Sequence, residues 1–180
     1  MNTLPERIIL IGFMGSGKSS VGRILAERLG YELVDTDALL EEQAGAPIAR
    51  IFREQGEPAF RALESEVLAA LADRKRSVIA TGGGAPAHPP NREFFTRGDV
   101  VFHLRVSLEA ARQRTGENAD RPLLAQQPDA VRRLYQGRQR VYEELGQSLD
   151  TDGKTPDAVA EEIMRLLRSP RRNPPPEERD

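Results

Sequence analysis

Apolar positions recur along this chain in two alternating rhythms. Arg7-Ile8-Ile9-Leu10-Ile11 is a short β-branched run stopped by Gly12, which reads as a strand buried on both faces. From Lys18 to Gly30 the apolar residues fall at Val21, Ile24, Leu25 and Leu29, the 3.6-residue period of a helix with one buried stripe. Glu32-Leu33-Val34 predicts a second strand ending at Asp35, followed by a short helix over Leu39 to Ala44. A longer helix is expected from Ala59 to Arg74, after a Gly56-Glu57-Pro58 turn, with Leu63, Val67, Leu68 and Leu71 on one face. Val78-Ile79-Ala80 gives a third strand, broken by Gly82-Gly83-Gly84, and Val100 to Leu104 a fourth, backed by a helix from Ser107 to Arg114. A helical pattern resumes over Ala130 to Leu145, Ser148-Leu149 predicts a short fifth strand, and Pro156 to Leu167 a last amphipathic helix.

Strands alternating with helices imply a three-layer α/β/α domain whose five-stranded parallel sheet is covered on both faces. The domain is expected over residues 1–168. Within it, the stretch of about 115–128 has no apolar period and reads as a mobile lid. Residues 169–180 are rich in proline and charge, have nothing to bury, and read as a disordered tail.

Composition narrows the function. Across 180 residues, 26 Lys+Arg against 28 Asp+Glu leave a formal net charge of −2, without the basic excess that sequence-independent nucleic-acid binding needs. The absence of cysteine excludes disulfide scaffolds, Cys-ligated zinc and thiol catalysis, and two histidines, His88 and His103, are too few for a His-rich metal site. The longest uncharged apolar run, Ile8 to Met14, falls far short of the roughly 20 residues of a membrane helix, and its flanks do not resemble a secretory signal. A cytoplasmic, monomeric domain with neither nucleic-acid nor membrane partners is the expectation.

Gly12-Phe13-Met14-Gly15-Ser16-Gly17-Lys18-Ser19 fits G-x-x-x-x-G-K-[ST] in full, between a predicted strand and a predicted helix. Each part has a task. The glycines let successive N–H groups turn toward phosphate oxygens, and the helix adds the positive end of its dipole. Lys18 puts a point charge on the β/γ-phosphates of ATP, and the Ser19 hydroxyl is a hard ligand for Mg²⁺. Gly15, Ser16, Gly17, Lys18, Ser19 and Ser20 are the expected nucleotide-binding set. A dinucleotide fingerprint would need Gly or Ala at Ser20 and gives Lys18 no role.

Asp35-Thr36-Asp37 ends the second predicted strand, at the sheet edge where open α/β proteins bind ligands. Asp35 can meet the Mg²⁺ held by Ser19. Asp37 can orient an acceptor hydroxyl and take its proton, or it can simply cap the helix that follows. Gly82-Gly83-Gly84 ends the third strand at the same edge, either as backbone approached closely by a ligand, with N–H groups free to donate, or as a plain flexible turn. No Walker-B aspartate or Asp-x-x-Gly switch follows that strand, and no Asn-Lys-x-Asp motif occurs, which argues against a GTPase switch.

Guanidinium forks suit carboxylate and phosphate, and four arginines stand in suggestive contexts: Arg61, Arg114, Arg121 and Arg138. With Asp-Thr-Asp, Phe-Arg-x-x-Glu, Gly-Gly-Gly, Arg-Pro-Leu-Leu and Arg-x-x-x-Tyr added to the phosphate loop, the chain resembles shikimate kinases from about Ile8 to Leu167. The resemblance implies a P-loop NTPase fold of the nucleoside-monophosphate-kinase type, and ATP-dependent phosphorylation of the 3-hydroxyl of shikimate with one Mg²⁺ per site. It implies Lys18, Asp37 and Arg121 as catalytic residues. Asp37, Arg61, Gly82, Gly83 and Arg138 would contact shikimate, with Glu64 orienting Arg61. Arg114, Arg121 and Lys154 would face the nucleotide, Ser19 and Asp35 the metal. Two positions depart from the family's commoner pattern: Arg140-Val141 replace Pro-Leu before Tyr142, and Lys154 stands where arginine is frequent. The rival readings are another small-molecule P-loop kinase, for gluconate or a nucleoside monophosphate, and a non-catalytic nucleotide-binding switch.

Overall fold

A computed structural model describes residues 4–97, 99–115 and 128–168. Five strands, β1 (Arg7–Ile11), β2 (Glu32–Asp35), β3 (Ser77–Ala80), β4 (Val100–Arg105) and β5 (Gln147–Asp150), form one parallel sheet in the order β2-β3-β1-β4-β5. The helices are α1 (Lys18–Leu29), α2 (Thr36–Ala44), α3 (Ile48–Ala70), α4 (Arg92–Thr96), α5 (Leu108–Thr115), α6 (Pro128–Leu145) and α7 (Pro156–Arg168).

The continuous apolar reading of β1 follows from two covered faces. Ile8 and Leu10 join Val21 and Leu25 of α1 and Val159 and Ile163 of α7 in one core layer. Ile9 and Ile11 join Ile51, Val67 and Leu68 of α3 and Tyr142 of α6 in the other. Three layers result. β1 lies at the centre, so its C-terminal loop opens beside those of β3 and β4.

Several boundaries differ from expectation: α2 begins at Thr36 rather than Leu39, and α3 ends at Ala70 rather than Arg74. The helix expected from Ala59 begins at Ile48, because Gly56 (φ 81°, ψ 172°) breaks the helix without ending it. Pro58 sits just after the break, where its missing N–H costs no ladder bond. Between β3 and β4 the chain makes two 3₁₀ turns, Ala85–Ala87 and Pro89–Asn91, and then α4, none of which carries an apolar period. Thr115, expected in the lid, closes α5 and Pro128 opens α6. The rest of the expected lid, with Arg121, and the expected tail over 169–180 lie outside the described residues.

Candidate active site

The phosphate loop turns between β1 and α1. Gly12 has φ +148°, and a Cβ there would stand 2.5 Å from the Leu104 carbonyl oxygen of β4, so the loop start admits no side chain. Buried Phe13 anchors the loop in the core. Lys18 Nζ donates to the Gly12 and Phe13 carbonyls at 2.9 and 3.1 Å, which bends the ammonium back over the loop mouth.

Ser19 Oγ, one residue into α1, donates to Asp35 Oδ2 at 2.5 Å. The other carboxylate oxygen of Asp35 accepts from the Asp37 and Ala38 amides at 3.1 and 3.4 Å, so Asp35 is the N-cap of α2. The capping alternative for Asp37 is therefore corrected. Asp37 lies in the first helical turn, and its carboxylate meets the glycine edge of β3: a Cβ on Gly82 would stand 2.5 Å from Asp37 Oδ1 and 3.2 Å from Glu64 Oε1.

The glycine triplet is a platform rather than a flexible turn. The Gly82 N–H donates to Thr36 Oγ1 at 2.9 Å, so this amide, expected to be free, is already engaged and Gly82 contributes space. A Cβ on Gly84 would collide with the Arg61 guanidinium, and one on Gly83 would lie 3.5 Å from Arg138 Nη1. Three side chains from α2, α3 and α6 thus converge on one strand end.

Each arginine is held in place. Arg61 stacks on Phe60 at 5.2 Å and donates to Glu64 at 2.8 Å and Glu57 at 3.2 Å. Burial pushes the Glu64 carboxyl above its ordinary pKa, against the pull of Arg61. Arg138 is buried with its guanidinium 5.8 Å above the Phe13 ring. Arg114 bridges two segments, donating to the Gly15 carbonyl at 3.2 Å, to Thr151 Oγ1 at 2.9 Å and to the Thr151 carbonyl at 2.5 Å. Lys154 pairs with Glu162 at 2.7 Å.

One open cleft of about 1440 Å³ is lined by Gly15, Ser16, Gly17, Lys18, Ser19, Ser20, Asp35, Asp37, Arg61, Gly82, Gly83, Arg114, Arg138 and Lys154. Every expected site residue among the described ones therefore meets in it. Sequence reasoning missed Gly84, whose place in the triplet was its signal, and Phe52, Thr81 and Thr151, which carried none. The arrangement offers a phosphate cradle at one end and, at the other, two cations and a carboxylate suited to a hydroxylated anion.

Comparison with known proteins agrees with this chemistry. A family model described as Shikimate kinase matches residues 14–168. A shikimate kinase of Moorella thermoacetica is 42% identical over 167 residues, spanning 92% of this chain and 96% of that protein. One from Thermodesulfovibrio yellowstonii is 40% identical over 162 residues, spanning 89% and 94%. Among solved structures, a shikimate kinase from Acinetobacter baumannii in complex with shikimate has a TM-score of 0.87 at 40% identity, covering 92% of this chain and 94% of that one.

Proposed function

This chain belongs to the shikimate kinase family and phosphorylates shikimate at the expense of ATP, and from that premise we propose how its residues divide the reaction. The observation that carries the division is the meeting of Asp37, Arg61 and Arg138 on the glycine edge of β3, across the cleft from Lys18.

In this reading the loop amides of Gly15 to Ser20 and the Lys18 ammonium hold the phosphates of ATP, with Arg114 and Lys154 on the nucleotide side. Ser19 and Asp35, two hard oxygen donors in contact beside the loop, suit Mg²⁺. They would hold one ion, which when bound would offset charge on the β- and γ-phosphates. Arg61 and Arg138 grip the shikimate carboxylate. Exposed Glu57 is the partner that Arg61 exchanges for it, while buried Glu64 keeps the guanidinium aimed.

Asp37 orients the 3-hydroxyl. Its oxygen attacks the γ-phosphorus, the bond to the β–γ bridging oxygen breaks, and ADP leaves, the hydroxyl proton passing to the Asp37 carboxylate. Arg121, beyond the described residues, completes the site from the lid and neutralises the transferring phosphoryl. We assign the enzyme to the cytoplasm as a monomer acting on small molecules; among the described residues no helix is long and apolar enough to cross a membrane.

The test is ADP formation from Mg²⁺–ATP with shikimate, gluconate, a nucleoside monophosphate or no acceptor. Shikimate-dependent ADP is expected, together with its loss in Lys18→Met and Asp37→Asn. Equal ADP in every arm, or in the gluconate or nucleotide arm alone, would sink the reading.

A further inference from the structure

Arg138 and the glycine edge belong to different layers of the molecule, α6 and the end of β3, and the Tyr142 side chain helps to join them. Tyr142 stands four residues after Arg138, on the same face of α6, and is wholly buried. Its hydroxyl donates to the Gly83 carbonyl and lies beside the Arg138 guanidinium. A Cβ on Gly83 would stand 3.6 Å from that hydroxyl and 3.5 Å from Arg138 Nη1, so the three groups meet at one point. Behind the phenol, the His103 ring of β4 packs at 5.1 Å and is itself fixed through Nδ1 to Ser148 Oγ of β5 at 2.9 Å. The ring is braced by the sheet, and its hydroxyl faces the cleft wall.

A buried phenol needs only one partner to be satisfied. This one spends its proton on the backbone of the acceptor platform and sits beside the acceptor's own cation. Burial drives its pKa upward, which keeps the donor protonated.

We propose that Tyr142 is a positioning residue for the acceptor: its hydroxyl sets the separation between the Arg138 guanidinium and the Gly83 backbone, and with it the span offered to a hydroxylated carboxylate. The proposal rests on the reading of Arg138 and Gly83 as acceptor contacts. The one hydrogen bond that the Tyr142 hydroxyl donates goes to the acceptor platform, so its influence is expected on shikimate more than on ATP. The phosphate cradle hangs instead on Gly12, Phe13 and Lys18.

The experiment is Tyr142→Phe in the full chain, with steady-state kinetics in both substrates. Losing the hydrogen bond that fixes the Gly83 backbone beside Arg138 predicts a rise of about tenfold in the KM for shikimate, with kcat within about threefold and the KM for ATP within about twofold. Arg138→Lys and the double variant extend it. Because the hydroxyl acts through Arg138, the two KM effects fall short of multiplying in Tyr142→Phe/Arg138→Lys. An unmoved KM for shikimate, equal rises in both KM values, a fully multiplicative double variant, or a Tyr142→Phe chain that does not fold would each overturn the proposal. Wild-type protein without shikimate-dependent ADP formation would instead refute the acceptor reading beneath it.

Discussion

The Arg61 guanidinium lies against the bare backbone of Gly84, with Nη1 2.5 Å and Nη2 2.6 Å from the point a Cβ would occupy. Nothing in α3 alone forces that placement. It depends on an amino acid without a side chain more than twenty residues later, at the end of a strand. In Gly84→Ala the far end of a flexible side chain yields before the fold does. The KM for shikimate should rise about ten- to a hundredfold through misplacement of Arg61, the KM for ATP should hold, and the melting midpoint should stay within about 2 °C. Kinetics in both substrates and a thermal melt decide it; a large drop in the midpoint with an unmoved KM would assign the glycine to stability.

Asp35 and Asp37 are two residues apart and are expected to fail differently. Asp37→Asn leaves the helix cap intact, so the melt should be unchanged while kcat falls by at least about 10². Asp35→Ala removes the cap and the partner of Ser19, costing about 1 kcal/mol of stability and raising the Mg²⁺ concentration for half-maximal rate. Denaturant melts and Mg²⁺ titrations of both variants provide the comparison.

His103 is buried in the sheet, and burial, with Arg105 and Lys18 nearby, lowers its pKa to about 4. Its free value is about 6.5, so the unfolded chain takes up the proton first as pH falls. The protein should therefore lose stability between pH 6.5 and 4, and this residue contributes about 2 kcal/mol of the loss by pH 5. Urea unfolding of wild type and His103→Phe at pH 7 and pH 5 isolates the contribution. An equal pH slope in the two would rule it out.

Arg121→Ala is expected to lower kcat by about 10³ and leave the Kd for ATP within about threefold, since an arginine delivered to the transferring phosphoryl acts chiefly in the transition state. Single-turnover kinetics and equilibrium nucleotide binding on one preparation test this, and unchanged turnover would remove Arg121 from the mechanism.

The sheet and the phosphate loop were legible because each rests on a local constraint. Four uninterrupted apolar residues, Ile8 to Ile11, can hardly be anything but a doubly covered strand, and the loop's glycines announce themselves by spacing. Other features were hidden where a local signal pointed the wrong way. Gly56 and Pro58 look like a helix start, yet they mark a break inside α3. Asp37 reads as a cap in the sequence, and only the geometry at the end of β2, where Asp35 reaches two amides, gives that role to Asp35 instead. The engagement of the Gly82 amide by Thr36 is a contact across 46 residues and leaves no trace in either neighbourhood.

The central position of β1 has a consequence for how the enzyme comes into being. Ile8 is registered with Val78 on one side and Val100 on the other, and the Gly12 turn is moulded against Leu104. The nucleotide cradle is encoded among the first twenty residues, but its walls arrive some seventy and ninety residues later in synthesis. Closing such long loops is the slow, entropically costly part of assembling a parallel sheet. An emerging chain thus carries the loop's residues long before it carries its shape, and capture of ATP reports that the sheet is finished.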